Sequence, residues 1–284
     1  MKNASVLMLV GGSAKGVDLD PVLETAAADE THVSVLVLEA QHRPQVYTDG
    51  VGFYGMPLMS KTWQKDIEKA KADLSDNAKR LEKRISDAGV NCDVDILGCD
   101  QAALPSIIGR HASTFDAVII SNDLRDQEIT FGSAVHGVLF QSSTAVILNP
   151  GASRRALRPA RAFISWDTSI PAARAVHAAL PMLTAAEEVT VGIFDPVESV
   201  DRFGENPGSD VARWLSHHGC HVTVQSYPSG GHEIGKCIHT RSTEIGADLV
   251  VMGAFGHSRL RQAVFGGTTR SVVDQTEFPV LLAH

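Results

Sequence analysis

The stretch ADLVVMGAFGHSRLRQAVFGGTT, residues 247–269, contains the strongest structural signal in the chain. Five of its first six residues are apolar, and the exception is Asp248, as is typical of a parallel strand that is buried on both faces. The run ends at Gly253, and a glycine-rich loop follows. The loop closes on Gly266 and Gly267, and we expect a helix to begin near Thr268. Strand, loop and helix together predict a βα unit of an open sheet, which binds ligands at the carboxyl ends of its strands.

Short apolar runs alternate with helical patterns along the whole chain, which predicts a parallel sheet with helices on its faces. The predicted strands are Val6–Val10, His32–Leu38, Cys92–Leu97, Asp116–Ile120 and Thr144–Leu148 in the first half, and Ala162–Trp166, Val189–Phe194, His221–Gln225, Ala247–Met252 and Val280–Ala283 in the second. Predicted helices include Pro171–Leu183, Asp210–His217 and His232–Ile245. The fold class is therefore α/β, with two doubly wound, Rossmann-like domains, each a five-stranded parallel sheet flanked by helices.

The two halves repeat each other at a measurable offset. Val33 precedes Val189 by 156 residues, whereas Asp116 precedes its counterpart Asp248 by 132. The first half therefore has about two dozen extra residues after its second strand, which we place near residues 41–63. That segment is apolar for a loop, and it is either a flap over its own domain or a lid or contact surface.

The domain boundary is predicted in the linker NPGASRRALRPA, residues 149–160, because Pro, Gly and Arg cluster there between two strands. We assign residues 1–150 to the first domain and residues 151–284 to the second. At 284 residues the chain is long enough for two domains.

Composition excludes several classes of protein. The 44% of apolar and 20% of charged residues are typical of a globular protein. A net charge of −8 argues against a nucleic-acid partner. No apolar run approaches the roughly 18–20 residues of a membrane helix, so no membrane partner is expected. The four cysteines form no Cys-x-x-Cys pair, which favours a reducing, cytoplasmic location.

The glycine loop has the features of a phosphate site. Gly253 and Gly256 let the main chain approach a ligand without a Cβ atom in the way. The start of a helix near Thr268 presents unpaired N–H groups and the positive end of its dipole. The loop lacks Gly-Lys-Ser/Thr, so it is not a Walker A loop, and it lacks the G-x-G-x-x-G pattern of dinucleotide folds.

Polar side chains in this loop could take part in binding. His257 and Ser258 could orient phosphates or water. Arg259, Arg261 and Arg270 are the nearest positive charges, and one of them could compensate for the absent lysine.

The spacing G-x-x-G-x9-G resembles the nucleotide loop of the universal stress proteins. Gly266 takes the third glycine position, Gly267 replaces the serine or threonine of the family pattern, and Thr268 and Thr269 follow. The stretch AFISWDTSIPAARAVHAALPML, residues 162–183, is similar to the first strand and helix of that family. As a whole, the chain resembles tandem universal stress proteins.

The resemblance implies that the second domain binds ATP, or ADP or AMP, together with Mg²⁺. Asp167 and Phe194 would contact the adenosine, and no catalytic residue or protein-held metal is implied. The phosphates would lie among the loop residues Gly253, Gly256, His257, Arg259, Gly266, Gly267, Thr268 and Thr269. A carboxylate at the end of a strand also suits ribose hydroxyls or an adenine amino group. Alternatively, Asp167 caps the next helix, or does both.

The first half departs from this pattern. Gly11 stands where the second half has Asp167. Ser121 and Asn122 replace the opening glycine of the loop, and carboxylates at Asp123, Asp126 and Glu128 would repel a triphosphate. We expect this half to bind no ATP and to pack on its sister as a pseudo-dimer, while an unrelated ligand is left open.

The residues 217–221 and 232–239 contain histidines and cysteines, but their spacing fits no closed zinc site. No G-x-S-x-G setting supports a nucleophilic serine.

The expected function is ligand-dependent regulation in the stress response. A slow ATPase or phosphotransferase and a nucleotide-free interaction module are the alternatives. A homodimer and an unidentified protein partner stay open.

Overall fold

The computed structural model describes residues 3–13, 19–41, 61–196, 208–255 and 267–284. The elements of the first half are β1 (Ser5–Gly11), α1 (Asp20–Asp29), β2 (His32–Gln41), α2 (Lys61–Asp87), β3 (Cys92–Asp100), α3 (Leu104–Ala112), β4 (Ala117–Ile120), α4 (Glu128–Gln141) and β5 (Ala145–Leu148). Those of the second half are β6 (Arg161–Ser165), α5 (Ile170–Leu183), β7 (Glu188–Phe194), α6 (Ser209–His217), β8 (Val222–Tyr227), α7 (Ile234–Glu244), β9 (Leu249–Gly253), α8 (Gly267–Asp274) and β10 (Val280–Ala283).

The strands form one continuous sheet in the order β3-β2-β1-β4-β5-β10-β9-β6-β7-β8. All neighbours within each half are parallel, as the buried apolar runs predict. β5 and β10 are antiparallel, with Leu281 opposite Ile147. The predicted α/β class and the pseudo-dimer are confirmed, and the two halves share a sheet rather than merely facing each other.

The predicted strands all exist in the described residues, with ends that shift by three residues or fewer. β1 and β6 begin 156 residues apart, at Ser5 and Arg161, and β2 and β7 repeat that offset at His32 and Glu188. The internal repeat read from the sequence is therefore a structural repeat.

Most of the extra residues of the first half lie in a helix, not in a loop. α2 has 27 residues, whereas its counterpart α6 has nine. The predicted loop at 41–63 is therefore wrong at both ends, because Gln41 belongs to β2 and Lys61–Trp63 begin α2. Residues 42–60 lie outside the described part. An apolar stripe at helical spacing holds α2 on the sheet, formed by Leu74, Ala78, Leu81 and Ile85.

The helices cover the sheet in two layers. α1, α2, α5 and α6 pack on one face, and α3, α4, α7 and α8 pack on the other. No helix in the described ranges combines the length and the apolarity that a bilayer crossing needs.

A buried polar cluster fastens the first half to the second beside the antiparallel pair. Asn149 follows β5, is fully buried and has a left-handed backbone, with φ 56°. Its Nδ2 donates to the carbonyl oxygens of Gln275 (2.9 Å) and Phe278 (3.2 Å). Its Oδ1 accepts from Nη2 of Arg125 (2.7 Å), which also donates to the Gln275 carbonyl (3.1 Å).

An aromatic cluster joins the halves at the other end of the antiparallel pair. The ring of Phe140, at the end of α4, lies 4.9 Å from the ring of Phe255 and 4.6 Å from that of His284. The imidazole Nδ1 of His284 donates to the carbonyl of Ala254 at 3.0 Å. The junction is thus closed by hydrogen bonds at one end and by tilted aromatic ring contacts at the other.

We predict that Asn149→Ala destabilises the protein by about 2–4 kcal/mol, because it leaves buried carbonyl groups without donors and places alanine in a left-handed conformation. Urea unfolding measures the loss. Asn149→Gly keeps the backbone freedom and serves as the matched control, so it should recover only the conformational part, about 1 kcal/mol. A loss below about 0.5 kcal/mol for Asn149→Ala would contradict the role of this cluster.

Candidate functional site

The crevice where the strand order reverses lies in the second half between β6 and β9. These strands are neighbours, with Ser165 opposite Met252, but the chain leaves β6 toward β7 on the other side. Ligands of open α/β sheets bind at this kind of switch point. The ends of β6, β7 and β9 place Asp167, Phe194 and Gly253 along one edge of the sheet.

The turn between β6 and α5 fixes the exposed carboxylate of Asp167. Oδ1 of Asp167 accepts the N–H of Ser169 at 3.0 Å. Thr168 between them has φ 60°, which is unusual for a β-branched residue. Ser169, not Asp167, caps α5, because its hydroxyl accepts the N–H of Ala172 at 3.2 Å. The alternative that Asp167 caps this helix is therefore wrong.

Gly253 has a packing reason to be glycine. A Cβ atom there would lie 2.4 Å from the amide nitrogen of Ala172 and 2.7 Å from the carbonyl carbon of Pro171. The first turn of α5 thus lies directly against the end of β9. This contact brings the amino terminus of α5 to the start of the glycine loop.

The start of the glycine loop is tied to α8. Phe255 has φ 63°, and its N–H donates to the hydroxyl of Thr269 at 3.2 Å. Thr269 is buried, so its hydroxyl fixes the start of the loop from the core side, through the N–H of Phe255. Thr268 is half-buried, whereas Gly267 is exposed, and a Cβ on Gly267 would meet no atom of the described residues within 4 Å.

Part of the predicted loop lies outside the described residues, namely Gly256, His257, Ser258, Arg259, Arg261 and Gly266. Arg270 is described. Its guanidinium is 66% exposed and lies 3.5 Å from Asp274, one turn along α8.

Phe194 belongs to an aromatic group at the end of β7. Its ring stacks on that of Tyr227 with centroids 5.5 Å apart, and both rings lie 6.4 Å from that of Phe163. The ring of Phe163 covers Gly192, where a Cβ would lie 2.3 Å from it. The guanidinium of Arg241 lies 4.9 Å above the Tyr227 ring. Phe194 is therefore held half-buried, and it presents one rigid apolar surface.

Asp195 is a residue that the sequence reasoning missed. It follows Phe194 with φ 46°, and its Oδ1 accepts the N–H of Ser229 at 2.8 Å. Hydrogen bonds from the side chain and the N–H of Ser229 lower the pKa of this carboxyl group. Its position at the carboxyl end of a strand, where Asp167 also lies, is the signal that could have found it.

Left-handed backbone marks the three strand ends at the crevice. Thr168, Asp195 and Phe255 follow β6, β7 and β9, and each is a non-glycine residue at positive φ. Such conformations cost free energy and cluster at ligand sites. Their counterparts in the first half do not share this conformation. These counterparts, by the 156- and 132-residue offsets, are Gly12, Glu39 and Asp123.

The corresponding crevice of the first half is filled by its own loop. After β4 the chain forms a 3-10 helix, Asn122–Asp126, and Asp123 turns inward. Oδ2 of Asp123 accepts the N–H of Gly11 at 2.9 Å, and a Cβ on Gly11 would meet that oxygen and Nε2 of Gln127. Of the three acidic residues expected to repel phosphate, Asp126 and Glu128 are exposed. Gly132 and Ser133 lie inside α4 rather than at its start.

The histidine and cysteine group near α6 is explained by packing. The Trp214 indole lies 4.4 Å from the rings of both His177 and His218, and Nδ1 of His218 donates to the Trp214 carbonyl at 3.0 Å. Cys220 is buried. The described residues contain no cluster of three His, Cys, Asp or Glu suited to a metal ion.

The fold defines a tandem α/β protein in which the first-half crevice is filled by its own loop, whereas the described residues of the second half leave the carboxylate of Asp167 exposed at theirs. Residues 232–284 match the model of the Universal stress protein family. No curated protein matches the chain.

The solved structure of a universal stress protein from Archaeoglobus fulgidus DSM 4304 is similar over 98% of this chain and 97% of its own, with a TM-score of 0.67 and 16% identity. A candidate universal stress protein from Pseudomonas aeruginosa UCBPP-PA14 is similar over 99% of this chain and 92% of its own (TM-score 0.56, 15% identity). A protein of unknown function from Pseudomonas aeruginosa PAO1 has the same coverages (TM-score 0.53, 14% identity). The match to the family model thus covers the last part of the chain, and the similar structures show that the full length of the chain has the fold of these proteins.

We predict that Asp123→Asn flattens the pH dependence of stability. Burial raises the pKa of Asp123, although the hydrogen bond from the Gly11 N–H favours the charged form. The folded protein then holds a proton that the unfolded chain has already released, so stability falls as the pH rises from about 3.9 through the folded pKa. The asparagine variant lacks this fall.

Urea unfolding at a series of pH values from about 4 upward tests this prediction. The matched control is Asp126→Asn, which changes an exposed carboxyl group in the same turn and should keep the wild-type slope. Equal slopes for wild type and Asp123→Asn would contradict the assignment.

Proposed function

We propose that the second half binds an adenine nucleotide, ATP or else ADP or AMP, and that the chain is a ligand-dependent regulator in the stress response. The observation that supports this most directly is the left-handed backbone at Thr168, Asp195 and Phe255, at three adjacent strand ends. The match of residues 232–284 to the model of the Universal stress protein family supports it independently.

The adenosine would lie between Asp167 and Phe194. The carboxylate of Asp167 is exposed at the crevice and is oriented by the Ser169 N–H. It can accept hydrogen bonds from ribose hydroxyls or from an amino group, and the rigid ring of Phe194 offers apolar contact to a base.

The phosphates would lie at the glycine loop, near the amino termini of α5 and α8. Gly267 and Thr268 would approach them most closely among the described loop residues, because Gly267 leaves open space above the first turn of α8. Thr269 would contribute indirectly, because its hydroxyl accepts the Phe255 N–H and so positions the loop. Gly256, His257, Arg259 and Gly266 complete the proposed set. Mg²⁺ would neutralise part of the phosphate charge when nucleotide is bound.

The first half would bind no ATP, because the N–H of Gly11 already donates its hydrogen bond to the carboxylate of Asp123.

We propose that residues 1–150 and 151–284 are the two domains, since β5 ends at Leu148 and β6 begins at Arg161. The first domain would then support the second through the shared sheet. A cytoplasmic location is part of the proposal.

Two other functions are distinguishable by experiment. A nucleotide-free interaction module would release no nucleotide when the purified protein is denatured. A slow ATPase or phosphotransferase would release phosphate over hours. The described crevice contains no lysine beside the loop, so we expect turnover below about 1 s⁻¹, under the range of ordinary enzymes.

We predict one nucleotide per chain, bound in the second half. Asp167→Ala should weaken ATP binding about 5- to 150-fold, because it removes a hydrogen-bonding carboxylate worth about 1–3 kcal/mol. Titration calorimetry on the full chain measures both stoichiometry and affinity. Asp126→Ala, an exposed carboxylate in the first-half loop, is the control that should leave binding unchanged. Two equivalent sites, or full affinity in Asp167→Ala, would overturn the model.

We predict that Gly267→Asp abolishes detectable ATP binding while the protein stays folded. The new carboxylate would repel the phosphates, but its Cβ meets no neighbouring atom. Gly132→Asp is the matched control, because Gly132 also has open space around its Cβ and lies in the first half. Equal ATP affinity in Gly267→Asp and wild type would place the phosphates elsewhere.

A further inference from the structure

The linker between the halves is anchored by two apolar side chains. Ala156 is fully buried and Leu157 is 5% exposed. Leu157 lies beside Val6 and Val22, in the gap between β1 and α1. The neighbouring arginines therefore point outward from a fixed stretch of chain.

Asp248 fixes the main chain on both sides of these anchors. Its Oδ2 accepts the N–H groups of Ala160 (2.9 Å) and Arg161 (3.1 Å), and its Oδ1 accepts the hydroxyl of Ser153 at 3.2 Å. The same hydroxyl oxygen accepts the N–H of Arg155 at 3.1 Å. The linker is thus a built turn whose arginines have defined positions.

Three arginines of this turn line a cleft of about 430 Å³, which we call the linker cleft. Its volume is in the range of small-molecule sites. Its walls come from α1, from the linker and from the turn before β7, so both halves contribute. The charged residues that line it are Arg154, Arg155, Arg158, Glu24 and Glu187.

The guanidinium groups of the linker cleft are only loosely paired. Arg154 lies 3.8 Å from Glu24, Arg155 lies 3.8 Å from Glu187, and Arg158 lies 3.9 Å from a third carboxylate, that of Asp29. These distances are longer than hydrogen bonds. The three arginine side chains are 86%, 60% and 63% exposed in the same order. The guanidinium N–H groups therefore line the cleft without donating hydrogen bonds to these three carboxylates.

We propose that the linker cleft binds a small anion that contains phosphate groups. The guanidinium fork matches the geometry of phosphate oxygens and donates two hydrogen bonds at once. The lining holds three arginines and two glutamates, and the carboxylate of Asp29 lies 3.9 Å from Arg158. Phosphate would therefore bind through hydrogen bonds from the guanidinium groups rather than through a net positive charge of the cleft. Such a ligand would join α1 of the first half to the linker.

The linker cleft is separate from the proposed nucleotide site. It lies next to Arg161, the first residue of β6, whereas Asp167 follows the carboxyl end of the same strand. A neighbouring cleft of about 490 Å³ shares Arg155, but its lining contains more carboxylates than arginines, so it is unsuited to an anion.

Titration calorimetry of the full chain with inorganic pyrophosphate tests the proposal. We expect saturable binding that weakens about three- to tenfold in Arg154→Ala and again in Arg154→Ala/Arg158→Ala, given the exposure of these side chains. Glu24→Gln should tighten binding, because it removes a competing carboxylate. Arg213→Ala, an exposed arginine on α6, is the control and should bind as wild type does. Circular dichroism of each variant checks the fold.

The Gly267→Asp variant separates the two sites. Pyrophosphate binding that persists in this variant and is lost in Arg154→Ala/Arg158→Ala supports the linker cleft, whether or not ATP binds at the other site. Binding that is lost in Gly267→Asp and kept in the double variant assigns the ion to the glycine loop and overturns the proposal. Absence of saturable binding to the wild-type chain overturns it as well.

Discussion

The antiparallel pairing of β5 with β10 is the interaction on which the rest of the structure depends. Each five-stranded half would otherwise end in a strand with an unpaired row of N–H and C=O groups, and exposed edges of that kind invite association. Pairing these edges inside one chain makes a single sheet. Because the pair is antiparallel, the carboxyl ends of β5 and β10 point in opposite directions, and each half retains its own switch-point crevice.

The side chains beside this junction explain why the two halves act as one unit. Asn149 and Arg125 donate hydrogen bonds to the loop before β10, and the ring of Phe140 contacts the tilted rings of Phe255 and His284 at the other end. Phe255 also begins the glycine loop of the second half. The first half therefore contacts the residue whose left-handed backbone turns that loop, so packing between the halves and the shape of the crevice are linked.

The two crevices use a carboxylate in opposite ways. In the second half, Asp167 follows the first strand and is exposed, while the loop after β9 is held by Thr269. In the first half, Gly11 leaves space after the first strand, and Asp123 from the loop after β4 fills it. One scaffold thus gives a self-filled crevice in the first half and, among the described residues, an exposed carboxylate at the crevice of the second, and this difference supports the proposal of a single nucleotide per chain.

The sequence by itself determined the ten strands, the repeat and the position of the glycine loop, because these depend on the local alternation of apolar runs, glycines and helical patterns. It could not give contacts between distant residues. The joining of β5 to β10, the packing of α5 on Gly253, the bond from Phe255 to Thr269 and the role of Asp195 all pair residues that are remote in the chain. The sequence also ended β2 at Leu38 and placed the extra residues in a loop near residues 41–63, whereas β2 extends to Gln41 through its pairing with β3 and Lys61–Trp63 belong to α2. Only the tertiary structure decided these points, because the burial of a side chain and the partner of a polar group are set by what the fold brings beside them.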